Sequence, residues 1–163
     1  MTHVLMVLSG ARVWTLKDGT EHPTGFWAEE FIAPYDIFTE AGYDITVATP
    51  RGVKPVVDEI SLSISGGTDP LSAKKLKSRL AELSDVLENP ADLHDQNEED
   101  YDLVFYPGGH GPMEDELVAR GLDYDKGLLP FTSHVVVDGN LYTGQNPQSS
   151  KKLAKTLVDA LAD

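Results

Sequence analysis

Two segments of this chain hold residue types that could carry chemistry. Glu30 lies between two aromatic residues, Trp27 and Phe31, in a stretch that is predicted to be helical. Residues 107–111 read Pro-Gly-Gly-His-Gly and directly follow an apolar stretch that is predicted to be a buried strand. A carboxyl packed against aromatic rings has a raised pKa, because burial disfavours its charged form. Glycines let the backbone approach a ligand closely. We therefore consider Glu30 for proton transfer and the glycine segment for ligand contact.

The residue types that are absent exclude other chemistry. The 163 residues include no cysteine, which rules out disulfides, thiolate metal ligands and thiol catalysis within the chain. The Gly-x-Ser-x-Gly pattern of a serine nucleophile is also absent. His22 and His134 could face the same pocket as Glu30, but their wide spacing matches no metal-ligand pattern. The sequence therefore predicts no metal and no cofactor.

The charge of the chain limits its partners. The formal net charge is −14 at pH 7, so nucleic acids and anionic membranes would be repelled. No apolar run approaches the length that spans a membrane. The first residues look like a strand rather than a signal peptide, and we expect a cytoplasmic protein. The length suits one domain covering residues 1–163.

The pattern of strands and helices predicts an α/β fold. Strands are expected at residues 4–9, 44–48 and 103–106, and a hairpin that turns on Asp138-Gly139 at residues 135–143. Helices are expected at 26–41, 69–88, 113–120 and from 147 onward, with Asp69 as an N-cap. Residues 10–25, 52–69 and 89–100 are expected to be irregular. We place the strands containing Val4, Ile45, Leu103 and Leu141 at the centre of the sheet.

Three motifs in a fixed order resemble the ThiJ/PfpI superfamily, whose fold is class I glutamine amidotransferase-like. They are Thr-Gly-x-x-x-x-Glu-x-x-x-Pro at 24–34, Pro-Gly-Gly-His-Gly at 107–111 and Thr-Gly-Gln-Asn-Pro at 143–147. The similarity is to the branch of heat-shock chaperones, glyoxalase III and deglycase-like proteins. It implies a flavodoxin-like parallel sheet between helices that is reduced in size, with a C-terminal hairpin and helix.

The same resemblance implies an internal deletion. In relatives, a strand and turn that carry the nucleophile cysteine separate the two matching blocks, whereas here the blocks abut near residues 114–116. Chemistry that depends on a thiolate, including the hydrolase, glyoxalase and deglycase reactions of the family, is therefore not expected of this chain.

The resemblance also implies roles for individual residues. Glu30 matches the glutamate beside the family nucleophile, where it acts as a general acid or hydrogen-bond partner. The turn that forms an oxyanion-binding nest in relatives corresponds to Gly108, Gly109, His110 and Gly111, which are ligand-binding candidates. Further ligand-binding candidates are Trp27, an aromatic residue beside Glu30, and His22 and His134, which are expected at the pocket mouth. His110 is not the catalytic histidine of the family. The alternative is that Glu30 and the glycine turn are inherited structural features. Asp58 and Glu59 resemble a loop near the pocket, although we expect them to be a solvated pair.

Two functions from different classes fit these features. The first is a cysteine-independent enzyme that uses Glu30 for acid/base catalysis of the isomerase, hydratase or lyase type on a small carbonyl-containing metabolite. The second is a catalytically inactive binding or chaperone-like protein of the same fold. A third possibility is that the deletion leaves the chain without a function of its own.

The deletion also predicts how the chain assembles. Loss of a central strand would leave one edge of the strand at 103–106 without its partner, and such an edge is a pairing site. The C-terminal block, from about residue 116 to the end, could fill the gap within one chain, but its connection through residues 114–133 is short. Exchange of this block between two copies would also cover the edge. We therefore expect a homodimer, domain-swapped through that block, with a small-molecule pocket at the carboxyl ends of the strands.

Overall fold

The computed structural model describes residues 1–15, 18–108, 133–144 and 146–162, which form eight strands and four α-helices. The strands are β1 (His3–Val7), β2 (Val13–Thr15), β3 (Glu21–Pro23), β4 (Asp44–Thr49), β5 (Ala91–Asp92), β6 (Leu103–Phe105), β7 (Val135–Asp138) and β8 (Leu141–Gly144). The helices are α1 (Ala28–Glu40), α2 (Pro70–Glu82), α3 (Ser84–Glu88) and α4 (Ser150–Ala162).

The main sheet is parallel, as the α/β pattern predicts. Its four described strands lie in the order β5-β4-β1-β6. Strand β1 pairs with β4 from His3 opposite Asp44, and with β6 from Val4 opposite Leu103. Residues 4–7 of β1 are buried, because both faces of a parallel strand are covered by other elements. The sheet, the flanking helices and the separate C-terminal hairpin confirm the predicted flavodoxin-like class.

Helix α1 forms the core layer against the sheet. Its residues Phe31 and Phe38 have 0% exposure, and the Phe38 ring meets Phe105 of β6 edge-on at 5.6 Å between centroids. Pro34 lies inside the helix, as the sequence predicts, and Gly42 follows the C-cap with a φ of 77°. Helix α4 packs against α1. The position of Glu30 in the first turn of α1 is therefore fixed by packing on two sides.

Three segments differ from the sequence prediction. Residues 10–25 are not simply irregular, because β2 and β3 pair as an antiparallel hairpin next to the Asp18-Gly19 turn, where Gly19 has a φ of 83°. The helix predicted over 69–88 is two helices that meet at Leu83, although Asp69 caps the first one as predicted. The segment 89–100 includes β5, a strand of two residues that is too short to leave a hydrophobic pattern.

The placement of Leu141 at the centre of the main sheet is wrong. Leu141 begins β8, which pairs with β7 in a separate two-stranded antiparallel sheet. Its side chain is 45% exposed, whereas Tyr142, the next residue of β8, packs against the core. The helix predicted at 113–120 and the deletion point near 114–116 lie outside the described residues. Within the ranges that the structure describes, no helix is both long and apolar enough to span a membrane.

Gly25 is the position where the fold most clearly requires the absence of a side chain. The backbone at Phe26 exchanges hydrogen bonds with the neighbouring segment, donating to Val56 O and accepting from the Asp58 N–H, each at 2.9 Å. A Cβ on Gly25 would lie 2.8 Å from the carbonyl carbons of Val56 and Val57 and closer still to the Val56 oxygen. These are backbone atoms, so a rotamer change cannot relieve the overlap.

We predict that Gly25→Ala lowers the free energy of unfolding by about 3 kcal/mol, because overpacking against backbone forces the two segments apart. Gly42→Ala is the matched control, since a Cβ there meets open space and only the positive φ is unfavourable, at about 1 kcal/mol. Urea denaturation of both variants measures the difference. Equal losses for the two variants would contradict the close approach at Gly25.

Candidate functional site

The site lies at the N-terminus of α1, where two distant segments meet the first turn. Trp27 is the N-cap residue, and its side chain makes no capping hydrogen bond. Its backbone N–H donates to Gly108 O at 3.1 Å. The next N–H, of Ala28, donates to the Ser61 hydroxyl oxygen at 3.2 Å. Helix N-termini leave such N–H groups without partners inside the helix, so residues 61 and 108 supply the missing acceptors.

Glu30 lies directly against Gly108. The Gly108 N–H donates a hydrogen bond to the Glu30 carboxyl group. A Cβ at position 108 would lie 3.2 Å from the Glu30 carboxyl carbon and closer to one of its oxygens. Only glycine leaves room for this approach. The N–H that the resemblance assigns to an oxyanion nest is thus directed at the carboxyl of Glu30.

Burial raises the pKa of Glu30 to about 7, as the desolvation argument from the sequence predicts. The negative charge of Glu29 raises this pKa further, and the hydrogen bond from Gly108 opposes the shift. Lys151 of α4 lies 3.9 Å from a Glu29 carboxylate oxygen. A carboxyl group with such a pKa populates both protonation states near neutral pH, which is the requirement for an acid/base group.

The other predicted site residues lie in several different segments and hydrogen-bond to different partners. Trp27 is half-buried beside Gly108. His22 is in β3, with its Nδ1 atom 2.7 Å from Pro23 O. His134 precedes β7, and its N–H donates to the Ser149 hydroxyl at 3.1 Å. The arrangement of either histidine around a pocket with Glu30 stays a prediction. Gly109, His110 and Gly111 lie outside the described residues.

Among the residues that the structure describes, no three histidine, aspartate or glutamate side chains are placed so that they could hold a metal ion.

Ser61 and Asp58 contribute to this site in a way that sequence reasoning missed. Asp58 is only 3% exposed, so its description as part of a solvated pair is wrong. Its Oδ1 accepts the Ile60 N–H at 2.9 Å, and its backbone oxygen accepts the Ser61 hydroxyl at 2.5 Å. The signal was the Asp-x-x-Ser spacing at 58–61, which is typical of a side-chain-capped turn.

Comparison with known families places the chain in context. The chain belongs to the ThiJ/PfpI-like family, because the model described as "ThiJ/PfpI family-like" matches residues 22–154. Curated relatives include the protein/nucleic acid deglycase HchA of Staphylococcus aureus. The strain RF122 protein is 31% identical over 128 residues, covering 74% of this chain and 42% of the relative. The strain JH9 protein is 32% identical over 136 residues, with the same coverage. The chain therefore spans less than half the length of these relatives.

Two solved structures share the fold. The Rapid Encystment Protein of 24 kDa from Francisella tularensis superposes with a TM-score of 0.78 at 20% identity, covering 99% of both chains. Glyoxalase III from Candida albicans superposes with a TM-score of 0.76 at 20% identity, covering 98% of this chain and 97% of the other. At this identity the likeness establishes the fold.

Because Glu30 titrates with a different pKa in the folded and unfolded states, the free energy of unfolding should depend on pH. Because its pKa in the folded state is raised from 4.5 to about 7, its stabilising contribution is complete below pH 4.5 and is lost as the pH rises through about 7. We predict that Glu30→Gln is about 3 kcal/mol more stable than the wild type at pH 8 and nearly equal to it at pH 4.

Chemical denaturation of both proteins at the two pH values checks this prediction. Glu40→Gln, at an exposed position of the same helix, is the control and should show no such pH-dependent gain. A clear loss of stability in Glu30→Gln at pH 8 would instead indicate an ionised carboxylate that is well paired.

Proposed function

We propose that this chain is a cysteine-independent member of its family that transfers protons to and from a small carbonyl compound through Glu30. The supporting observation is the Glu30 carboxyl held against the Gly108 backbone, where burial raises its pKa to about 7 although the hydrogen bond from Gly108 opposes the shift. With no cysteine in the chain, Glu30 is the group best suited to proton transfer among the predicted site residues. Isomerisation and lyase reactions share a first step that needs only such a group.

That step is removal of a proton from the carbon beside the carbonyl. The Glu30 carboxylate takes the proton and becomes a carboxylic acid, and the electron pair of the broken C–H bond forms an enolate. The acid then returns a proton to the substrate or its product. In both states one carboxyl oxygen can accept the Gly108 N–H, so the group keeps its orientation while its charge changes.

The glycine turn and the aromatic side chain at this site have supporting roles in the proposal. Residues 109–111 would contact the carbonyl oxygen through backbone N–H groups, as the family resemblance implies. Trp27, half-buried at the N-cap of α1, would supply an apolar wall. His22 and His134 would lie at the mouth of the pocket.

The proposal predicts solvent deuterium incorporation beside the carbonyl of pyruvate or hydroxyacetone in heavy water, followed by proton NMR. Glu30→Gln should lower the rate at least about 100-fold, since general-base catalysis contributes this much or more. Glu40→Gln is the control and should keep the wild-type rate. Exchange that survives in Glu30→Gln, or a wild type that exchanges no faster than buffer, would contradict the proposal.

One observation favours a second candidate, a binding or chaperone-like function. A shallow, mainly apolar groove of about 380 Å³ runs between residues 62–68 and α2. Ile64 in its wall is 76% exposed, and Leu71 nearby on α2 is 65% exposed. The test is whether the chain suppresses the aggregation of a heat-denatured protein. If Glu30→Gln keeps this suppression and Ile64→Ser loses it, the result favours this function over catalysis.

We also propose that the protein is a homodimer in which the C-terminal block is exchanged between two copies. In the described part of the chain, β6 pairs only with β1, while Val104 is 36% and Tyr106 is 66% exposed. An edge of this kind is a pairing site for another strand. Light scattering at low micromolar concentration should give twice the 17.8 kDa chain mass. A stable folded monomer would contradict this arrangement.

A further inference from the structure

The first turn of α1 depends on a cap from elsewhere in the chain. Ala28 is completely buried, and its N–H donates to the hydroxyl of Ser61, 33 residues away. Ser61 is also 0% exposed. Without this hydroxyl the Ala28 N–H would be buried with neither a helix partner nor water, and such a group is costly. The side chain of Trp27, at the N-cap position, does not replace it.

Ser61 is itself held in a rigid turn. Its hydroxyl donates to Asp58 O at 2.5 Å, so the hydroxyl oxygen is directed at Ala28. Its backbone oxygen accepts the Thr68 hydroxyl at 2.8 Å. The Asp58 N–H donates to Phe26 O at 2.9 Å, which joins the same turn to the residue before the N-cap. The turn at 58–61 is therefore hydrogen-bonded to the chain entering α1 at two backbone positions, Phe26 and Ala28.

We propose that Ser61 is a positioning residue for Glu30, whose hydroxyl fixes the first turn of α1 and thereby holds the Glu30 carboxyl against the Gly108 N–H. Glu30 follows Ala28 by two residues within that turn. Gly108 holds the turn from the other side by accepting the Trp27 N–H at 3.1 Å. A change in the angle of the first turn moves the carboxyl relative to Gly108. The consequence for catalysis rests on the function proposed above, whereas the positional effect does not.

A substitution that tests the role of Ser61 must leave the charged side chains around the first turn of α1 unchanged. They are Glu29 on α1, Lys151 on α4 near Glu29, and the buried Asp58 in the turn itself. Ser61→Ala removes only a neutral hydroxyl and leaves all three unchanged. Thr49→Val is the matched control, because Thr49 is a fully buried residue whose hydroxyl donates to Val53 O at 2.7 Å instead of accepting from α1.

The readout is the amide resonance of Gly108 in nitrogen-15 NMR spectra recorded between pH 5 and pH 9. In the wild type this resonance should shift with pH, because its N–H donates to a carboxyl whose charge changes near neutral pH. In Ser61→Ala we expect the pH-dependent shift to fall by at least half. In Thr49→Val it should keep its wild-type size, although the loss of a buried hydroxyl also destabilises that variant.

Three outcomes decide the proposal. A reduced Gly108 shift in Ser61→Ala alone supports it. A wild-type shift in Ser61→Ala, or an equal reduction in both variants, overturns it and leaves Ser61 with a purely structural role. If Ser61→Ala does not fold, Ser61→Cys is the second variant, because its sulfur is a weaker hydrogen-bond acceptor than the hydroxyl oxygen. We expect the pH-dependent Gly108 shift to be partly reduced in Ser61→Cys. A shift of wild-type size in that variant would overturn the proposal. The deuterium exchange of Glu30→Gln tests the proposed function separately, because the Gly108 shift does not depend on turnover.

Discussion

The approach of the Glu30 carboxyl to the Gly108 backbone is the constraint on which the rest of this site depends. It requires a residue without a Cβ in the segment after β6, and a helix whose first turn lies against that residue. At this position the carboxyl is largely buried, and burial raises its pKa to about 7. The contact with Gly108 thus sets the position of the group, while burial and the charge of Glu29 set its protonation.

The parallel sheet supplies the framework for this contact. Strands β1 and β6 are neighbours and run in the same direction, so the segments that follow them leave the sheet at the same edge. Gly108 lies at that edge in the segment after β6. Helix α1 packs against the sheet through Phe31 and Phe38. Ligands of open α/β sheets bind outside the carboxyl ends of the strands, which is where Glu30 is held.

Much of this arrangement could be predicted from the sequence. The apolar run of β1, the helix with Phe31 and Phe38, and the Asp69 cap each leave a strong local pattern, and the structure contains all three. The raised pKa of Glu30 was predicted from desolvation, and burial is its main cause in the structure. The two-residue β5 and the separate position of β8 could not be predicted, because strand pairing is decided by long-range contacts. Ser61 was missed because its partner Ala28 lies 33 residues away.

The central claim is that Glu30 exchanges a proton near neutral pH in the folded protein. Carbon-13 NMR of the glutamate carboxyl groups, with the Glu30 resonance assigned by its absence in Glu30→Gln, measures this directly. We predict a titration midpoint near pH 7, because burial raises the pKa of this carboxyl to about 7. A midpoint near 4.5, the ordinary value for glutamate, would contradict the proposed proton transfer, because Glu30 would then be a weaker base that does not hold the substrate proton at neutral pH.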